Sequence, residues 1–187
     1  MIEFFFRPGG DAATMRDLED LNPAVLAARV EGVLLAALDV LKVDGVGLML
    51  LDEQDELCLI GGSDEASCRF GRAQQRLKVG PCHSCRRSGR AVTVDDLAAD
   101  ETYSRLWSPS PPRGRAGVAV AFRGVVCAPV RAGSAVVGTL DVMTTAPRRW
   151  EHPQVEAVEA YANVLAVLLR LGAAAQIQPS PRPTDEE

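Results

Sequence analysis

Between Pro23 and Lys42 the chain reads PAVLAARVEGVLLAALDVLK, a run that fits a helix and little else. Asn22 supplies an N-cap and Pro23 a first helical position whose missing N–H costs nothing. Leu26, Val30, Val33, Leu34, Ala37, Leu38 and Leu41 recur at helical spacing and form one stripe, while Val25, Leu35 and Val40 fall outside it. A helix apolar over so much of its circumference needs two partners, its own domain and a second subunit. A similar helix is predicted over Pro153–Gly172, carrying Val155, Val158, Tyr161, Ala162, Leu165, Leu168 and Leu169.

Two hairpins stand between these helices. Gly45–Leu51 and Leu57–Gly61 are joined by the acidic turn Asp52–Glu56, and Val125–Arg131 and Ala135–Thr144 meet at Ala132-Gly133-Ser134. Hairpins impose antiparallel pairing, and helices at both ends can lie together on one sheet face. The expected class is α+β. Ser63–Gln75 reads as a helix opened by Ser63, Gln75–Val79 as extended and Ala91–Val94 as a strand. Asp95–Pro112 reads as a long loop holding Tyr103, Leu106 and Trp107, and Arg113–Phe122 as a helix. Loops of that length are often functional. Tyr103 and Trp107 lie in this loop, Phe122 just beyond it, and Cys127 on the following strand. Trp150 reads as a structural staple before the last helix.

At 187 residues and 47% hydrophobic composition, one core is expected. The expected division is an N-terminal extension at 1–21, a domain at 22–172 and a disordered tail at 173–187, whose Pro-rich, acidic end offers little apolar surface against ordering entropy. A net charge of -5 argues against a nucleic-acid-binding surface over the whole protein. Charge is nonetheless segregated. Seven bases and no acid lie between Cys68 and Val94, and six acids and no base between Asp52 and Glu65. Each block is either a solvated face or, for the basic one, a patch that meets an anionic ligand or partner. Met1–Phe6 is too short for an export signal, and neither long apolar run fits a membrane span. A cytoplasmic protein with no membrane contact and an odd count of five free thiols is expected.

The densest chemistry sits in Gly80-Pro81-Cys82-His83-Ser84-Cys85-Arg86-Arg87-Ser88-Gly89. Gly80 and Pro81 open a short helix and Gly89 closes it. Cys82 falls in the first turn, where orphan amides and the helix dipole favour a thiolate, with Arg86 adding positive charge and Cys85 following at i+3 on the same face. Cys82, Cys85 and Arg86 are thus redox candidates. Three readings compete. A zinc half-site needs two more ligands from Cys58, Cys68, Cys127, His83 and His152, none of them in a second paired motif, so no metal is expected. A reversible disulfide is the second. Buried cysteine acting as a small hydrophobe is the third, and the one the residues favour. Aromatics are only 5% of the chain, which argues against a large planar cofactor such as haem, and no cofactor is expected.

Ser63-Asp64-Glu65, Leu77-x-x-Gly80-Pro81-Cys82-x-x-Cys85-x-x-x-Gly89, Val92-x-Val94-x-Asp96-Leu97, and Pro129-Val130 followed by Gly138-Thr139-Leu140 together resemble the GAF domain family. Within it the pattern is similar to the GAF part of actinobacterial GAF-ANTAR regulators, over roughly Val43–Leu171. The resemblance implies a GAF/PAS-like architecture. Its parts would be a central antiparallel sheet of five or six strands, a regulatory pocket on one face, and terminal helices on the other that commonly mediate dimerisation. In that family a loop corresponding to Asp95–Phe122 covers the pocket, so the resemblance implies Tyr103, Trp107, Phe122 and Cys127 as ligand-pocket candidates; the alternative is that the aromatics only anchor the loop. Sixteen residues follow Leu171, half of them Ala, Pro or Gln, so an RNA-binding ANTAR module is not expected. The cyclic-nucleotide signature of the family is not recognisable, and the Cys-His pair of bilin-binding relatives normally sits later than Cys82-His83. Free methionine sulfoxide reductases of this family resemble the chain at Gly80-x-Cys82. Their further pocket cysteine has no counterpart in Asp95–Phe122.

The expectation is a stand-alone sensory or regulatory GAF domain, not an enzyme, active in signalling or transcription control. It would bind a small ligand or sense redox state, form a homodimer through its terminal helices and act on a protein partner. The alternative is a thiol-dependent reductase of a small sulfoxide.

Overall fold

A computed structural model of the chain describes residues 23–107 and 122–176. The elements follow in the order α1 (Pro23–Leu41), β1 (Gly45–Leu51), β2 (Leu57–Gly62), α2 (Glu65–Leu77), α3 (Pro81–Ser88), β3 (Val92–Val94), a single 3-10 turn (Ser104–Leu106), β4 (Gly124–Ala132), β5 (Ala135–Thr144) and α4 (His152–Gln176). Five antiparallel strands form one sheet in the order β2-β1-β5-β4-β3. The class is α+β, as the hairpins require.

The two-residue period of the strands divides the core. Leu48, Leu50, Val126, Ala128, Val130, Leu140 and Val142 face α1 and α4, where Leu34, Ala37, Val158, Ala162 and Leu165 meet them. The alternate residues, including Met49, Val125, Cys127 and Met143, face α2, α3 and the segment after β3. Because both faces are covered, β4 and β5 read as near-continuous buried runs rather than as half-polar alternation. The terminal helices pack against each other as well as on the sheet, and the Tyr161 hydroxyl donates to the Ala36 carbonyl at 3.5 Å.

Register sets the site. Asp141 on β5 pairs with Gly47 on β1 and Cys127 on β4, so the three lie abreast on the face away from the terminal helices. Thr139, two residues earlier on that same face, pairs with Met49 and Pro129.

Local expectations fail where tertiary contacts decide. Asp64, not Ser63, caps α2, its Oδ1 accepting from the Ser67 N–H at 2.7 Å. Ser63 is instead drawn to the sheet, where its Oγ accepts from the Val46 N–H at 3.0 Å. The stretch from Gln75, expected to be extended, continues α2 to Leu77, because Ala73 and Gln74 are buried against the sheet and hold the last turn; Lys78 then ends it at φ 53°. α4 runs to Gln176, past Gly172. The expected cap at Asn22, the helix beginning at Arg113 and residues 1–21 and 177–187 lie outside the described residues; Phe122 stands in no helix.

Candidate functional site

α3 begins in an unusual way. Gly80 has φ 150°, and a Cβ there would run into the Gln74 side chain. Glycine offers no capping oxygen of its own. The cap comes from α2, where Gln74 Oε1 accepts from the Cys82 N–H at 3.0 Å. The other end of the same amide donates from Nε2 to Asp141 Oδ2 at 2.6 Å. One buried glutamine thus joins the start of α3 to the centre of the sheet. Gly89 closes α3 in the left-handed conformation, its N–H donating to the Cys85 carbonyl at 2.8 Å.

Asp141 is only 1% exposed, and its Oδ1 has no hydrogen-bond partner; nor has the buried Thr139 Oγ1. Burial raises the Asp141 carboxyl to about 6, against the opposing pull of the Cys127 thiol and the Gln74 amide. Cys82, Cys85 and Cys127 pack together with Met49 and Leu57, and the Cys82 and Cys127 thiols lie within reach of its charge. All three thiols are fully buried.

This placement corrects the expected thiolate. The start of a helix lowers a thiol pKa only when the anion is solvated or paired, and Cys82 is neither. Burial, then the nearby Asp141 carboxylate, pushes its thiol strongly upward. Cys127 is raised for the same first reason and then by its contact with Cys85. Arg86 does not serve the thiols; it turns outward and pairs with Asp55 in the β1–β2 turn. The acidic and basic blocks therefore meet in part, Lys78 also pairing with Glu56.

The aromatic candidates come together. Tyr103, Leu106 and Phe122 are buried in one cluster with Phe70, Leu97 and Met143, and Trp107 packs half-buried on its edge. Phe122 meets Phe70 edge-on at 6.2 Å, and the Tyr103 hydroxyl donates to Ser84 Oγ at 2.7 Å, tying this cover to α3. Trp107 sits under the Arg123 guanidinium at 5.2 Å, which is itself held by Asp96 through two 2.5 Å bonds. Cys127 lies in the neighbouring cluster, beside Asp141 on the adjacent strand. Trp150 donates to the Val94 carbonyl at 3.3 Å, the staple expected of it.

Asp141, Thr139 and Gln74 escaped sequence reasoning. One clue was available, since Asp141 is the lone charge in AVVGTLDVMT, a strand otherwise fit for burial on both faces. Among the described residues, no group of three His, Cys, Asp or Glu side chains is placed to hold a metal ion, and no helix is long and apolar enough to cross a membrane.

No curated protein matches the chain in sequence. Among solved structures it is similar to the free methionine-R-sulfoxide reductase of Neisseria meningitidis in complex with its substrate, at 18% identity and TM-score 0.61 over 94% of this chain and 99% of that one. It is also similar to the GAF domain of an Acinetobacter phosphoenolpyruvate-protein phosphotransferase, at 16% identity and TM-score 0.59 over 90% and 95% of the two chains. A GAF domain from Synechocystis in its photoproduct state aligns at 16% identity and TM-score 0.59 over 82% and 99%. Identities this low speak for a shared fold alone. The family is carried by the model for the GAF domain, which matches residues 26–169, and the chain belongs to the GAF domain family.

Proposed function

We propose that this GAF domain is a sensory, regulatory module that takes a small ligand against Asp141, Thr139 and Gln74, on the sheet face turned away from α1 and α4. The observation that carries the reading is the pair of buried acceptors, Asp141 Oδ1 and Thr139 Oγ1, left without partners. An unpaired buried polar group costs about 1–3 kcal/mol, and more when charged, so it is retained where it has a use. The ligand is a small molecule bearing a hydrogen-bond donor, which would satisfy Oδ1 and hold the carboxylate ionised.

Binding there reaches the rest of the fold through covalent and hydrogen-bonded neighbours. Gln74 links Asp141 to the cap of α3, and Tyr103 links α3 to the aromatic cover. On the other face of the sheet, β4 and β5 pack on α4. Val40 on α1 and Val164, Val167 and Leu171 on α4 remain exposed, which supports a second copy of the chain as the immediate partner and a further protein as the output.

Native mass spectrometry of the purified full chain, with and without reductant, tests this reading. A bound small molecule that persists under reductant and is lost from Asp141→Asn is the expected result. A spectrum that changes only by disulfide reduction would instead favour redox sensing. A second reading, thiol-dependent reduction of a small sulfoxide, draws support from the gathering of Cys82, Cys85 and Cys127 in one buried cluster and is weakened by the raised pKa of Cys82 and Cys127. Assay of free methionine-R-sulfoxide with a thiol reductant decides it, and an inactive parent protein removes the enzyme.

A further inference from the structure

The basic block between Cys68 and Val94 folds into a concavity that the ligand reading does not use. Lys78, at the end of α2, and His83, Arg86 and Arg87, on the outer face of α3, line a cleft of about 440 Å³. Its volume lies within the range of small-molecule sites. Two of its cations are already engaged by carboxylates of the β1–β2 turn, Lys78 by Glu56 and Arg86 by Asp55. Arg87 has no carboxylate partner among the described residues and reaches only Ser84 Oγ, at 3.5 Å. His83 Nε2 lies 3.0 Å from the Gln74 carbonyl; a carbonyl only accepts, so Nε2 carries the proton and Nδ1 is left as an acceptor.

We propose that this cleft is a second binding site, specific for a phosphorylated small molecule, and that the acidic β1–β2 turn guards it. Each turn carboxylate satisfies one cation. A phosphoryl or pyrophosphoryl group offers enough oxygens to engage both guanidinium forks and the ammonium together, which a single carboxylate does not. The existing pairs show that Lys78 and Arg86 are oriented to receive anions. Exposed ion pairs of this kind contribute little, so an incoming anion displaces them readily. The site lies on the outer face of α3 and Asp141 beneath its inner face, so either can fail without the other. His83 and the Gln74 carbonyl supply the contact between the two.

Inorganic pyrophosphate is the probe, titrated into the full chain and followed by backbone amide shifts, with sodium chloride at matched ionic strength as the control. Saturable one-to-one binding is expected, with shifts centred on Lys78–Arg87 and on the Asp52–Glu56 turn. Arg87→Ala should weaken it about tenfold, since a charge-assisted fork is lost, and Arg87→Lys should restore part of the loss. The double variant Asp55→Asn, Glu56→Gln should bind several-fold more tightly, because the internal competitors are gone. All of these side chains are exposed or half-exposed, so the variants retain the fold. Equal shifts with sodium chloride, unchanged binding in Arg87→Ala, or no gain in the double variant would each overturn the proposal.

Discussion

Burial holds the Asp141 carboxyl near 6, whereas an unfolded chain releases that proton near 3.8. Between those values the folded form binds a proton that the unfolded form has lost. Stability therefore falls as pH rises from about 4 to about 6 and is level above, by up to about 3 kcal/mol for a shift of roughly two units. Asp141→Asn keeps an acceptor for Gln74 and abolishes the slope. Urea melts at pH 4, 6 and 8 should show the variant gaining about 1–3 kcal/mol over the parent at pH 8. A variant less stable than the parent at pH 8 means that the carboxylate is already satisfied within the fold. At this scale the sequence was partly legible. Cys82 and Cys85 are identifiable as a pair, but the sign of the Cys82 pKa shift depends on depth beneath the sheet, which spacing does not report.

The short helix α3 shows how one element depends on another. Its N-terminus carries no capping side chain of its own, and its stability rests on an amide sent from α2. Gln74→Ala should remove the cap and strip Asp141 of its donor together, a cost of about 2–4 kcal/mol. Hydrogen exchange should show the Cys82 amide losing protection well before amides of β4 and β5. Uniform loss across the sheet would mean that Gln74 serves packing rather than capping. The hairpins, α1 and α4 were legible because their signals are local: alternation, helical spacing, and turn residues such as Gly133. The cap of α2 was not, because the choice between Ser63 and Asp64 is made by Val46, seventeen positions away, competing for the Ser63 hydroxyl. The end of α2 was hidden for a similar reason, since its polar last turn is held by a buried glutamine whose partner lies on β5.

For the whole molecule, the order helix, hairpin, helices, hairpin, helix was enough to foresee a sheet with α1 and α4 on one face; a pocket on the opposite face was what the family resemblance implied. Which residues occupy the centre of that opposite face was not legible, since it follows from the register that brings Gly47, Asp141 and Cys127 abreast. The exposed valines and Leu171 predict a dimer through α1 and α4. Sedimentation at micromolar concentration should show two subunits, and the double variant Val164→Glu, Leu171→Glu one, with the fold unchanged. A parent that stays monomeric removes this route for the signal. The assignment of the sensing face has its most direct test in backbone and carboxyl NMR of the full chain, titrated with a panel of small primary amines and amides. Shifts at Asp141, Thr139 and Gln74 that saturate and vanish in Asp141→Asn are expected. Ligands whose shifts fall only on α1 and α4, or survive in Asp141→Asn, would contradict it.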